Sequence, residues 1–220
     1  MKNRGFTLVE VLVAMVVMAI LAVMAWQGVD GIVRSRDASG ARLEQTLRLN
    51  TVMAQWEQDL SALQDATVVP ALAFDGASLR LTRRTPAGLQ VVMWFLSNDA
   101  TAGRARWLRW AGPPTTLGGD LREQWLRSLQ LPADAPGSLA MQGGIATWQV
   151  YCFRANDNAW SNCQSSNNVS TVPVAGLGSS APTQTRQTLP TGVRAVLTFA
   201  PGSGNTGTLT RDVALGPQSP

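Results

Sequence analysis

The sequence predicts an α+β protein, with a long N-terminal helix, transmembrane in its first half, packed on a mainly antiparallel β-sheet head. Three observations lead there. Phe6–Trp26 is an almost unbroken apolar run, polar only at Thr7 and Glu10. No proline falls between Phe6 and Val69. From residue 67 onward the texture changes to short β-type segments punctuated by Gly, Pro, Asn and Ser. With 220 residues, the chain has room for one modest globular domain besides the helix.

The apolar run has the ~20 residues that a helix needs to cross a ~30 Å hydrocarbon core. Beyond Trp26 the pattern stays helical through Gly28-Val29-Asp30-Gly31, with a soft spot over Gly28–Gly40 because each glycine costs up to ~1 kcal/mol. From Arg42 the helical signal strengthens. Leu43, Leu47, Leu49, Val52, Met53, Trp56, Leu60 and Leu63 recur at three- and four-residue intervals, with Glu44, Arg48 and Asp59 filling polar positions between them. Pro70 closes the region. The expectation is one helix over roughly 6–65, divided into a transmembrane half (6–29) and an amphipathic half (30–66), followed by a β-rich head (67–220).

Within the head, Ser78–Thr82 alternates, Leu89–Leu96 is continuously apolar, and Ala105–Trp110 alternates Trp and Leu with Arg. Ala146–Arg154, Gly192–Phe199 and Thr206–Leu215 are further strand candidates. Pro113-Pro114 and Gly118-Gly119 mark a loop before a short helix around Leu121–Leu129. Ser165–Thr188 is rich in Ser, Thr, Gly, Asn and Pro and reads as an exposed, partly mobile loop. Arginines beside apolar residues, as in Leu79-Arg80-Leu81 and Trp107-Leu108-Arg109-Trp110, read as a solvated strand face. Most of the tryptophans belong in a core, with Trp110 and Trp160, near predicted loops, the better candidates for a partner surface.

The N-terminus carries the chemistry. A basic stub, Lys2 to Arg4, ends at Gly5, and Glu10 then sits inside the apolar run. A carboxylate in hydrocarbon costs about 2.5–3.5 kcal/mol on insertion scales and is by default functional. A secretory signal peptide cut after Val23-Met24-Ala25 fits the positive stub. It does not fit Glu10 at the start of the apolar stretch, nor a helical pattern that runs on without a loop. A plain single-span anchor explains the length and leaves Glu10 without a purpose.

Lys2-Asn3-Arg4-Gly5-Phe6-Thr7-Leu8-Val9-Glu10 resembles the class III leader of type IV pilins and type II secretion pseudopilins. The resemblance implies removal of residues 1–5 by a prepilin peptidase, with Phe6 becoming an N-methylated first residue and Glu10 the fifth. Within one helix Phe6 and Glu10 lie ~6 Å apart along the axis, so the chain's own amine serves the carboxylate poorly. A neighbouring helix displaced by about one turn brings its amine level with Glu10, which favours staggered packing of subunits.

The length, Gly28-Val29-Asp30-Gly31, Trp56-Glu57-Gln58-Asp59-Leu60, the paired arginines of Leu79-Arg80-Leu81-Thr82-Arg83-Arg84, Leu189-Pro190-Thr191-Gly192-Val193-Arg194-Ala195-Val196-Leu197 and Thr210-Arg211-Asp212 are similar to the J-class minor pseudopilins. That resemblance implies a bacterial inner-membrane protein with a cytoplasmic N-terminus and a periplasmic head. Its partners are then the I- and K-class minor pseudopilins in a tip complex that primes the filament, the major pseudopilin and the prepilin peptidase. W-type minor pilins of type IV pili are also similar and remain an alternative, as does a signal-anchored periplasmic binding domain. In a periplasmic head, Cys152 and Cys163 pair as a disulfide closing a short loop, worth ~2–3 kcal/mol in the loop-entropy picture.

Composition excludes much else. Formal charge is +4, of which Lys2 and Arg4 supply two, and the scattered arginines make no phosphate-binding stripe, so nucleic acid is not expected as a partner. There is no histidine, hence no Ser-His or Cys-His nucleophile, and the acidic residues show no paired spacing. Neither an enzyme nor a cofactor is expected. Asn156-Asp157-Asn158 reads as an ordinary turn rather than a calcium loop, and no metal site is expected.

Overall fold

A computed structural model describes residues 7–99, 104–132, 135–154, 158–164, 169–173, 183–187 and 189–216. Among these there are two helices and ten strands. The long helix, α1, runs Leu8–Ser61. By packing, the chain divides into two compact units, Met1–Leu47 and Arg48–Pro220. In the first unit the α1 side chains are exposed except at half-buried Asp30, which pairs with Arg34 one turn on.

The second unit takes the last turns of α1 and a sheet. The sheet is antiparallel, in the order β1 (Leu72–Phe74), β2 (Ser78–Thr85), β3 (Gly88–Asp99), β4 (Arg104–Ala111), β5 (Leu139–Arg154), β9 (Gly192–Phe199), β10 (Thr208–Ala214). A short β6 (Ala159–Asn162) also pairs with β5. Gly88 turns β2 into β3 at φ +125°, a backbone region that L side chains avoid, and a Cβ there would meet the Thr115 carbonyl at 2.4 Å. The second helix, α2, spans Gly118–Ser128.

Period-two alternation divides the residues between two cores. On one face Leu79, Leu81, Val92, Trp94, Trp107, Trp148, Val150, Val193, Ala195 and Leu197 meet Val52, Met53, Trp56 and Leu60 of α1. On the other, Val91, Met93, Phe95, Leu108 and Trp110 meet Leu121 and Trp125 of α2. The strands β2–β4 are therefore covered on both sides. Trp110, expected at a partner surface, is only 6% exposed because α2 closes over it.

Three further expectations need correction. The helix ends at Ser61 rather than near 65, because the chain leaves it to pair with β2 beyond the reach of β1. Arg84 donates its N–H to the Ala62 carbonyl at 2.8 Å and Gln64 donates to Thr82 at 2.9 Å. The polar stretch Ser165–Thr188 is not all loop: β7 (Val169–Pro173) and β8 (Thr183–Gln187) form a separate two-stranded antiparallel sheet. Residues 165–168, 174–182 and 188 lie outside the described residues. Finally, Arg80 and Arg109 are not on a solvated face but 7% and 9% exposed.

Candidate functional site: the N-terminal motif and the buried Asp59 latch

The described chain begins at Thr7, so Gly5 and Phe6, the expected cleavage and methylation residues, lie outside it. Thr7 and Glu10 sit at the start of α1 as a reciprocal cap. The Glu10 N–H donates to Thr7 Oγ1 at 3.4 Å, and the Thr7 N–H and Oγ1 donate to the Glu10 carboxylate at 3.5 and 3.4 Å. Those spacings are those of a capping box, Thr-x-x-Glu, with the Glu10 N–H shared between Thr7 Oγ1 and the Thr7 carbonyl at 3.1 Å. The bonds are long, and no cation meets Glu10 among the described residues. Thr7 thus orients the carboxylate without neutralising it. In hydrocarbon such a group requires a positive partner or a proton.

The first 26 residues match the family model of the prokaryotic N-terminal methylation motif. The chain carries the N-terminal signal of a type IV pilin-like protein. That signal implies processing by a prepilin peptidase and assembly with other pilin-like subunits, and the family it marks is structural rather than catalytic. No curated protein matches the chain. α1 is long and apolar enough to cross a membrane, and with the motif it fits a single-pass anchor. The architecture agrees: a long apolar N-terminal helix followed by an antiparallel β domain is consistent with an α+β type IV pilin fold.

The second unit also holds a buried carboxylate at one of the charged positions between the apolar residues of α1. Asp59 is fully buried. Its Oδ1 accepts from Gln55 Nε2 (3.0 Å), Arg83 Nη1 (2.7 Å) and Arg109 Nη2 (2.9 Å), and its Oδ2 from Arg109 Nε (2.7 Å) and Trp94 Nε1 (2.8 Å). The carboxylate thereby ties α1 to β2, β3 and β4 at once. Arg83 is further held by Gln90, whose Nε2 donates to the Gly112 carbonyl. The signal was legible in the spacing: Val52, Trp56, Asp59 and Leu63 fall at intervals of four, three and four, so Asp59 lies on the apolar stripe itself.

Arg80 points to the opposite face and does the corresponding task there. Its Nε donates to the Ser128 carbonyl at the end of α2 (3.3 Å) and its Nη1 to Asp75 Oδ2 (2.6 Å). Partial burial pushes the Asp75 carboxyl up. The Arg80 guanidinium, the Ser78 N–H and hydroxyl and the Ala77 N–H outweigh it, holding the pKa down at about 2. A carboxylate with a depressed folded pKa stabilises above its unfolded value of 3.8 and loses that contribution as pH falls through 2. The second unit is accordingly expected to lose thermal stability between those values. Asp75→Asn flattens that part of the melting-temperature profile, and a profile unchanged by the substitution refutes the assignment.

Cys152 and Cys163 form a disulfide with Cα atoms 5.1 Å apart, joining β5 to the residue after β6 at the edge of the first core. Trp160 is half-buried, tilted against Phe153 (5.3 Å between centroids) and under the Arg194 guanidinium (4.2 Å). Arg194 in turn pairs with Asp212 through two 2.6 Å hydrogen bonds, which hold the Asp212 carboxyl below its usual range. Of Asn156-Asp157-Asn158 only Asn158 is described, at φ +46°. Among the described residues no group of three acidic, His or Cys side chains could hold a metal.

Proposed function

We propose that this protein is a J-class minor pseudopilin of the type II secretion system. It joins I- and K-class subunits in a tip complex that primes the pseudopilus. Residues 1–5 are the leader, 6–29 the inner-membrane span, 30–66 the periplasmic half of the helix and 67–220 the periplasmic head. After cleavage at Gly5, the Phe6 amine of one subunit neutralises Glu10 of the next.

The observation that carries the reading is the methylation motif with a carboxylate that Thr7 orients and nothing in the described chain neutralises. Support for the J class comes from the segments that resemble it, which meet in space. Asp59 pairs with Arg83, Glu57 with Arg211, and Arg194 with Asp212. The Cys152–Cys163 bond favours the second reading, a minor pilin of a type IV pilus, where disulfide-closed loops near the end of the head are more familiar.

Mass spectrometry of the natural protein is expected to find N-methylated Phe6 at its amino end. Glu10→Ala is expected to insert in the membrane at wild-type levels and to retrieve partner subunits about tenfold less well, a loss of about 1.4 kcal/mol. An intact leader, or undiminished retrieval, rejects the reading. Retrieval of I- and K-class subunits rather than pilus subunits separates the two systems.

A further inference from the structure

We infer that the outer edge of β10 is a strand-addition site for an extended segment of a different pilin-like subunit, an inference that rests on the assembly reading. The hydrogen-bond phase fixes which backbone groups are free. Phe199 donates to the Gly207 carbonyl and Leu215 to the Thr191 carbonyl, so the odd-numbered residues from 207 to 215 face β9. Thr208, Thr210, Asp212 and Ala214 therefore turn their N–H and C=O groups outward. None of these groups has a backbone partner among the described residues.

Sheet edges are ordinarily blunted by shortness, proline, a bulge or a projecting charge. β1, at the opposite edge, has three residues and follows closely on Pro70. β10 has seven, no proline, no lysine and no register shift against β9. Its two charges, both exposed, are paired back within the unit, Arg211 with Glu57 of α1 and Asp212 with Arg194 of β9. Beside this edge runs a groove between α1 and β10, lined on the helix by Ala54, Glu57, Gln58 and Ser61. Ala54 and Ser61 are small, and Glu57 is already paired. An uncharged strand can lie there with its backbone on β10 and alternate side chains against the helix, without stranding a charge.

The motif that implies assembly with other pilin-like subunits supplies the class of partner. A second copy of this chain is the poorer occupant. Antiparallel pairing of β10 with itself sets Arg211 opposite Arg211, or Asp212 opposite itself, in two of the registers available.

Thr210→Pro tests this, because it removes an outward N–H and leaves every N–H that bonds β9 in place. The full-length variant, purified from its native membrane, is expected to keep the wild-type melting temperature and to retrieve about tenfold less of the partner subunits. Amide exchange across Thr208–Ala214 of the wild type is expected to slow by about tenfold or more on assembly. Wild-type retrieval by a folded Thr210→Pro overturns the inference. So does unprotected exchange in the assembled wild type, which decides the matter where the proline variant does not fold. A disulfide-linked homodimer of Thr210→Cys in the membrane overturns the choice of partner. Failure of the wild type to retrieve any pilin-like subunit brings down the assembly reading and this inference with it, whereas retrieval with an unprotected β10 brings down this inference alone.

Discussion

Asp59→Ala is expected to destabilise the second unit by about 3–5 kcal/mol, a fall of ~6–20 °C in melting temperature for a unit of this size. The cause is what the substitution leaves behind. Arg109 and Arg83, with side chains only 10% and 18% exposed, lose the carboxylate that takes three of their N–H groups, and Trp94 Nε1 loses its acceptor. Desolvation already paid by two guanidinium groups is then unrecovered. Asp59→Asn keeps the shape but turns an amide N–H toward this all-donor cage, and it should fall on the same side as alanine. A combined Asp59→Leu, Arg83→Met, Arg109→Met variant removes every charge together. It should recover most of the loss, because a buried ion cluster gains little over apolar packing of similar volume. Thermal melts of the four proteins check this. An Asp59→Ala melt within ~2 °C of wild type sinks the assignment.

The same residue shows where the sequence was readable and where it was not. Apolar patterning located α1 and the strands β2, β3, β4, β5, β9 and β10, because each turns one face or both to a core, whereas α2 is signalled by the prolines and glycines before it and begins earlier than they suggest, at Gly118. Polar residues were harder. Arg80 and Arg109 look like surface charges in a linear pattern, and although Asp59 lies on the apolar stripe of α1, its ion pairs depend on partners 24 to 50 residues away in the chain, as the burial of Arg80 depends on Ser128, 48 residues away. Trp110 was misplaced for a related reason. Strand alternation puts it on the face away from α1, and only the arrival of α2 decides that this face is buried too. The paired strands β7 and β8 give little signal because Val169–Pro173 and Thr183–Gln187 carry no apolar alternation, although Thr and Val suit strands. At the N-terminus the motif was plain, while the Thr7 cap on Glu10 depends on helix phase and adds an orienting group that linear reading passed over.

Trp56→Ala is expected to cost a further ~3–5 kcal/mol at an independent kind of contact, the apolar join between α1 and the sheet. Trp56 is wholly buried, edge-on to Trp94 (5.4 Å, 83°) and packed on Trp107 (5.2 Å) and Trp148 (6.3 Å). Alanine leaves a cavity lined by three indoles tilted against one another, of which Trp94 is held by its hydrogen bond to Asp59. Trp56→Phe is the informative companion. Trp56 Nε1 is buried with no hydrogen-bond partner, so phenylalanine removes an unmet donor along with the volume. The relief, about 1–3 kcal/mol, should offset much of the lost packing and keep the phenylalanine cost below ~2 kcal/mol. Because Trp56 and Asp59 share Trp94, the double variant should fall short of additivity by ~0.5–3 kcal/mol. Chemical unfolding with tryptophan fluorescence and near-ultraviolet circular dichroism reads both effects. Phenylalanine costing as much as alanine would show that Nε1 has a partner after all and that packing volume alone governs the join.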